Sequence, residues 1–137
     1  MYREGQGIPQ DYAVALRSYH KAAEAGIAEA QRGLGLMYWL GQGATQDTAE
    51  AVRWNRKAAE QGEETAQGAM GSAYFVGDGV PQDYVMAHMW WNLAAAQAGD
   101  NRKTYATFRD ELTKKMSHEQ LAEAQRLARE WRPSKRK

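Results

Sequence analysis

Tyr2, Tyr38 and Tyr74 stand 36 residues apart, and the same interval separates Gly5, Gly41 and Gly77. It separates Gly7, Gly43 and Gly79 as well, then Gln10, Gln46 and Gln82, and then Asp11, Asp47 and Asp83. Residues 1–26 match residues 37–62 at fifteen of 26 positions, and residues 27–62 match 63–98 at thirteen of 36. A fixed period of this length means that one supersecondary unit is copied along the chain. A single unit of that size cannot bury its own apolar face, so the copies must stack.

Composition decides what the unit is made of. Of 137 residues, 24 are alanine and 13 glycine, whereas valine and isoleucine together number seven. That inventory starves a β-sheet and suits closely packed helices. The chain has no cysteine, which excludes a disulfide framework, a thiolate metal site and a cysteine nucleophile.

Two helices are expected in each unit. Helix A runs over Ala28–Leu40 and again over Glu64–Val76, with Ala30, Leu34, Tyr38 and then Ala66, Met70, Tyr74 as its apolar stripe. Gly35 and Gly71 fall inside helix A, where glycine costs about 1 kcal/mol relative to alanine, so a neighbouring helix is expected to approach there. Gly41 and Gly77 end the helix in the left-handed conformation. After a short loop, Asp47 and Asp83 cap helix B, and Glu50 is placed to complete a reciprocal capping pair with Asp47. Helix B is expected over 12–25, 48–61 and 84–98, with Ala51, Trp54, Asn55, Ala58, Ala59 and Ala87, Trp90, Trp91, Ala94, Ala95 inward. Beyond the repeats, Tyr105, Phe108, Leu112, Met116 form one further stripe. Ser117 and Gln120 form a capping box for a last helix carrying Leu121, Ala124, Ala128 and Trp131.

The fold class is therefore all-α, an α-solenoid of helix-pair repeats with a C-terminal helical cap. Residues 1–26 make a partial first repeat with helix B only, 27–62 the second and 63–99 the third. Capping helices occupy 100–132, and 133–137 are a basic tail. Charge follows the same division, with seven Lys/Arg against eleven Asp/Glu over 1–99 and eleven against six over 100–137.

The run Ala30-Gln31-x-x-Leu34-Gly35-x-x-Tyr38-x-x-Gly41-x-Gly43-x-x-Gln46-Asp47, closed by Lys57-Ala58-Ala59-Glu60-x-Gly62, closely resembles the Sel-one-like repeat family. That family is related to the tetratricopeptide repeats, whose own unit is shorter and lacks the G-x-G-x-x-Q-D loop. The third copy keeps Ala66-Gln67, Gly71, Tyr74, Gly77, Gly79, Gln82-Asp83 and Trp90. The segment from Met116 to Ala128 also looks like the closing segment of bacterial members. The resemblance implies a scaffold or adaptor that binds a protein or peptide. It implies no enzyme and no cofactor. Met1-Tyr2 falls on Met37-Tyr38, so helix A of the first copy is missing. The expectation is a longer native protein, with room upstream for an export signal. The start itself, Met1-Tyr2-Arg3-Glu4-Gly5, has no apolar signal region, which makes the cytoplasm the default location.

Helix A of such a stack lines the concave face. On that helix the row opposite the core stripe is Glu29, Arg32, Leu36, Trp39 and Leu40, and the next copy offers Ser72, Phe75 and Val76. These eight are the candidate partner-binding residues, with Trp39 and Phe75 as apolar anchors and the polar ones fixing register. Three alternatives are weaker. Ser18 and Lys21 spell the S-x-x-K of penicillin-binding and β-lactamase enzymes, yet both occupy ordinary repeat positions and no S-D-N completes a site. His20, His88 and His118 stand singly on different helices, which is no metal-ligand set. The three G-x-G stretches follow helices rather than strands and do not read as phosphate loops. Near-neutral net charge argues against nucleic acid, and no apolar stretch is long enough for membrane insertion. Self-association through the uncovered first repeat is the remaining partner reading.

Overall fold

The computed structural model describes residues 8–97 and 99–134, and among these it holds seven helices and no strand. They are α1 (Ile8–Glu24), α2 (Ala28–Leu40), α3 (Thr48–Glu60), α4 (Glu64–Val76), α5 (Tyr84–Ala95), α6 (Arg102–Thr113) and α7 (His118–Glu130). Each helix from α1 to α5 packs on the one that follows it, and α7 packs back onto α5 rather than onto α6. Tyr2, Gly5 and Gly7 of the first copy and Lys135-Arg136-Lys137 of the tail lie outside the described residues.

Both A helices, α2 and α4, have the limits their apolar stripes and terminal glycines predict. Gly41 and Gly77 adopt φ of 74° and 79°, and Gly26 and Gly62 close α1 and α3 at 92° and 99°. Asp47 accepts from the Glu50 amide and Asp83 from the Met86 amide, at 3.0 and 3.2 Å. The Asp47–Glu50 pair is not reciprocal, because the Glu50 carboxylate takes the Trp54 indole N–H at 3.2 Å and pairs with Arg53. Ser117 and Gln120 do form the full capping box. Two ends differ from expectation. Helix α1 begins at Ile8, which places Asp11 within the first turn; Pro9 is tolerated there because early helical amides have no intrahelical partner. Helix α5 stops at Ala95, and Gln97 leaves the helix so that its side chain can reach the Gly62 carbonyl at 2.7 Å.

The core falls into two clusters along the stack, one around Leu34 and Trp54 and a larger one around Met70, Trp90 and Trp91. Trp54, Trp90 and Trp91 are buried on the B helices among Ala58, Ala59, Ala87 and Ala94. Leu34 and Met70 sit fully buried at equivalent positions of α2 and α4. Small residues let the helices close on one another, and the large ones fill the layer between them. Trp131, at the end of α7, packs edge-on against Trp90, and Ser134 donates its backbone N–H to the Glu60 carbonyl at 2.6 Å. The cap is thereby tied to both full repeats.

A polar ladder runs through the same stack. Gln61 donates to the Gly26 carbonyl and to Gln31 Oε1 at 3.0 and 2.9 Å, while buried Gln31 donates to the Ala23 carbonyl. One period later Gln97 donates to Gly62 and Gln67, and buried Gln67 to Ala59. These amides satisfy the Gly26 and Gly62 carbonyls just past the helix ends and add a second donor to Ala23 and Ala59, which already accept from the Gly26 and Gly62 amides.

Candidate functional site

A groove of about 380 Å³ lies between α2 and α4, floored by α3. Arg32, Leu36 and Trp39 form one wall; Thr65, Ala69, Ser72 and Val76 stand on the other. Thr48, Ala51, Val52 and Asn55 make the floor, and Asp78 closes one end. The walls are apolar and open to water. Leu36, Trp39 and Val76 remain 48%, 49% and 63% exposed in a molecule that buries its other tryptophans on the B helices. An exposed apolar cluster gathered into a concavity marks an interaction site far more often than scattered surface leucines do.

Five of the eight candidate residues therefore meet: Arg32, Leu36, Trp39, Ser72 and Val76. Glu29 and Leu40 are exposed on α2 but do not line the groove. Phe75 is placed differently. It is half-buried, stacked on Tyr84 at 5.7 Å between ring centroids and tilted against Trp91 at 5.6 Å. Helix α5 has claimed the ring.

The glycines inside the A helices explain how the groove opens. Gly35 and Gly71 do face close neighbours, but side chains of the following B helix rather than a helix backbone. A Cβ at Gly35 would stand 2.9 Å from the Asn55 carboxamide, and one at Gly71 would strike the Trp91 indole. Asn55 and Trp91 are the same repeat position. Where it is tryptophan, the indole fills the space and donates to the Gly68 carbonyl at 3.2 Å. Where it is asparagine, the space is left as the groove.

Charge at the groove is arranged at its ends. The Arg32 guanidinium lies 3.1 Å from the Glu63 carboxylate, although its buried Nε–H finds no aligned acceptor. Glu63 also caps α4 by accepting from the Ala66 amide at 2.7 Å. At the other end the Trp39 indole N–H points to Asp78 Oδ2 at 3.4 Å.

Other sequence candidates lie apart. Ser18 and Lys21 are both exposed on α1, at a distance in sequence and structure from the groove lining. His20 Nε2 meets the Tyr38 hydroxyl at 3.1 Å. His88 is buried at 3% exposure, and its Nε2 lies 3.1 Å from Thr113 Oγ1. Since that hydroxyl donates to the Arg109 carbonyl, His88 is the donor through Nε2–H, leaving its buried Nδ1 unpartnered. Burial, then Arg109, hold its pKa below the ordinary imidazole value, against an opposing pull from Asp110. Its repeat position is that of Val52, a signal that would have marked it as buried. Gln31 and Gln67 are the other buried polar residues that stripe reasoning passes over.

Helix pairs copied at a fixed period, stacked on one another and leaving an apolar groove on the A-helix side, define an α-solenoid repeat protein. The Sel1 repeat model matches residues 1–27, 28–63 and 65–98. The chain belongs to the Sel1 repeat family, whose repeats generally mediate protein–protein interaction. It is similar to c5321, a protective antigen present in uropathogenic Escherichia coli strains displaying an SLR fold. The two are 34% identical with a TM-score of 0.82, over 94% of this chain and 27% of that one. It is also similar to a Sel1 repeat protein from Oxalobacter formigenes, 40% identical with a TM-score of 0.61, over 62% of this chain and 25% of that one. The chain thus spans about a quarter of the length of these solved structures. No curated protein matches it significantly.

Proposed function

We propose that this chain is a non-catalytic interaction module that takes a protein or peptide segment into the groove between α2 and α4. The observation that carries the reading is the exposure of Leu36, Trp39 and Val76 on the walls of one concavity. Burying such a cluster against a partner supplies the driving force, with Arg32 and Ser72 at the rim setting register. Glu29 and Leu40 extend the same helix face. Phe75 supports the wall from behind rather than meeting the partner directly.

Selection of peptides from a displayed random library on the purified chain tests this. Trp39→Ala and Leu36→Ala are each expected to weaken a selected peptide about tenfold or more, as truncation of a central apolar anchor does. Affinities unchanged in both variants would sink the groove model. No covalent adduct at Ser18 is expected from a reactive β-lactam probe, read by intact mass.

A further inference from the structure

We infer that the groove's occupant is an extended apolar peptide segment that carries an arginine or lysine at the Asp78 end. The inference rests on the groove reading above and adds the chemistry of the ligand.

Two features at that end attract the same kind of group. The exposed Trp39 ring offers a π face, and a cation over an indole face is favoured by the ring quadrupole. The Asp78 carboxylate sits at the edge of that same ring, accepting its N–H. That contact, long at 3.4 Å, places the carboxylate beside the ring, so one guanidinium can lie over the indole and meet the carboxylate at once. The opposite end does not compete for the charge. Arg32 already faces Glu63, and among the described residues no cation stands within ion-pair distance of Asp78. The first 99 residues carry four more acidic than basic side chains (eleven against seven), so the wider surface favours the same sign of ligand.

Groove dimensions decide the conformation. Arg32 to Trp39 spans seven residues of α2, about 10 Å at the helical rise. Extended chain covers that distance in about three residues. One or two apolar side chains reaching the α3 floor, followed by the cation, match this length. Asn55 presents its carboxamide from that floor, where a backbone amide or carbonyl of the ligand would lie.

A displayed random octapeptide library, selected on the full chain and on three variants, tests the inference. On the wild type, enrichment of one or two large apolar residues followed by Arg or Lys is expected. Asp78→Lys should shift the enriched residue to Asp or Glu and weaken the original peptides about fivefold, the scale of a partly exposed charge pair. Asn55→Trp and Leu36→Glu, each checked for a native circular dichroism spectrum and melt, should abolish binding of both classes. Binders lost in the plugged variants but showing no cation, or keeping one with Asp78→Lys, would overturn the charge inference and leave the groove intact. Binders indifferent to Asn55→Trp and Leu36→Glu, or none from the wild type, would overturn the groove reading as well.

Discussion

Trp39 and Phe75 hold the same place in successive repeats, yet one is open to solvent and the other is closed in. Their own helices are alike, with the same limits, the same left-handed glycine at the end and a tyrosine one residue earlier, half-buried as Tyr38 and buried as Tyr74. What differs is the helix beneath. On α5, Tyr84 and Trp91 stack against Phe75, and Phe108 of α6 adds a third ring on Trp91 at 5.3 Å. On α3 the matching positions are Thr48 and Asn55, which line the groove instead of filling it. The repeat framework fixes where helices go, and two substitutions on helix B decide whether a junction is filled core or an open groove.

The sharpest break of that comparison is Trp91→Ala against Asn55→Ala. Removing a buried indole that also donates to Gly68 should cost about 3–5 kcal/mol and threaten the cap. Asn55→Ala, at the floor of an open groove, should stay within about 1 kcal/mol of wild type. Urea unfolding at constant m-value measures both. Equal losses would mean that the two junctions are packed alike.

Gly71→Ala and Gly35→Ala probe the same contrast from the other side. A methyl at position 71 lands on the buried Trp91 ring, and overpacking of that kind costs about 1–3 kcal/mol. At position 35 the methyl meets an amide that can swing into the groove, and the gain of about 1 kcal/mol in helix propensity offsets the crowding. The first variant should melt lower than wild type and the second within a few degrees of it.

The filled junction also carries a pH dependence at His88, where the preceding repeat has Val52. His88 has a lowered pKa in the folded chain, so between that value and the ordinary value near ~6.5 the unfolded chain binds more protons. Its contribution to stability is fully present above about pH 6.5 and is lost as pH falls below it. Charging the ring requires a proton on buried Nδ1, against desolvation and the like charge of Arg109. His88→Val, which installs the residue of the preceding repeat, should flatten the fall in melting temperature between pH 7 and pH 5. An unchanged slope would remove His88 as its source.

Much of this was legible in the residues. The period, the limits of α2 and α4, the caps at Asp47, Asp83 and Ser117 and the buried helix-B tryptophans all follow from spacing and local chemistry. The candidate site residues come together only in part. Arg32, Leu36, Trp39, Ser72 and Val76 converge as the helix row predicts, because a row on one helix face stays a row. Phe75 left the set since its fate depends on Tyr84 and Trp91, which approach from another helix. The glutamine ladder escaped for a related reason. A hydrophobicity stripe does not register an amide whose partners are carbonyls one repeat away.

The smallest expected effect is the one that separates a binding residue from a structural one. Trp39 is a large aromatic, and loss of such a ring from a core would be as costly as loss of Trp91. Here half of it faces water, its N–H reaches Asp78 only at 3.4 Å, and that acceptor is itself at the surface. An exposed bond of that length contributes little, so Trp39→Ala should change unfolding free energy by no more than about 0.5 kcal/mol. The same substitution should cost a groove-bound peptide about tenfold in affinity. Stability retained with affinity lost assigns the ring to the partner. A melting temperature that falls as far as that of Trp91→Ala would instead make Trp39 part of the core, and the two junctions would no longer differ in kind.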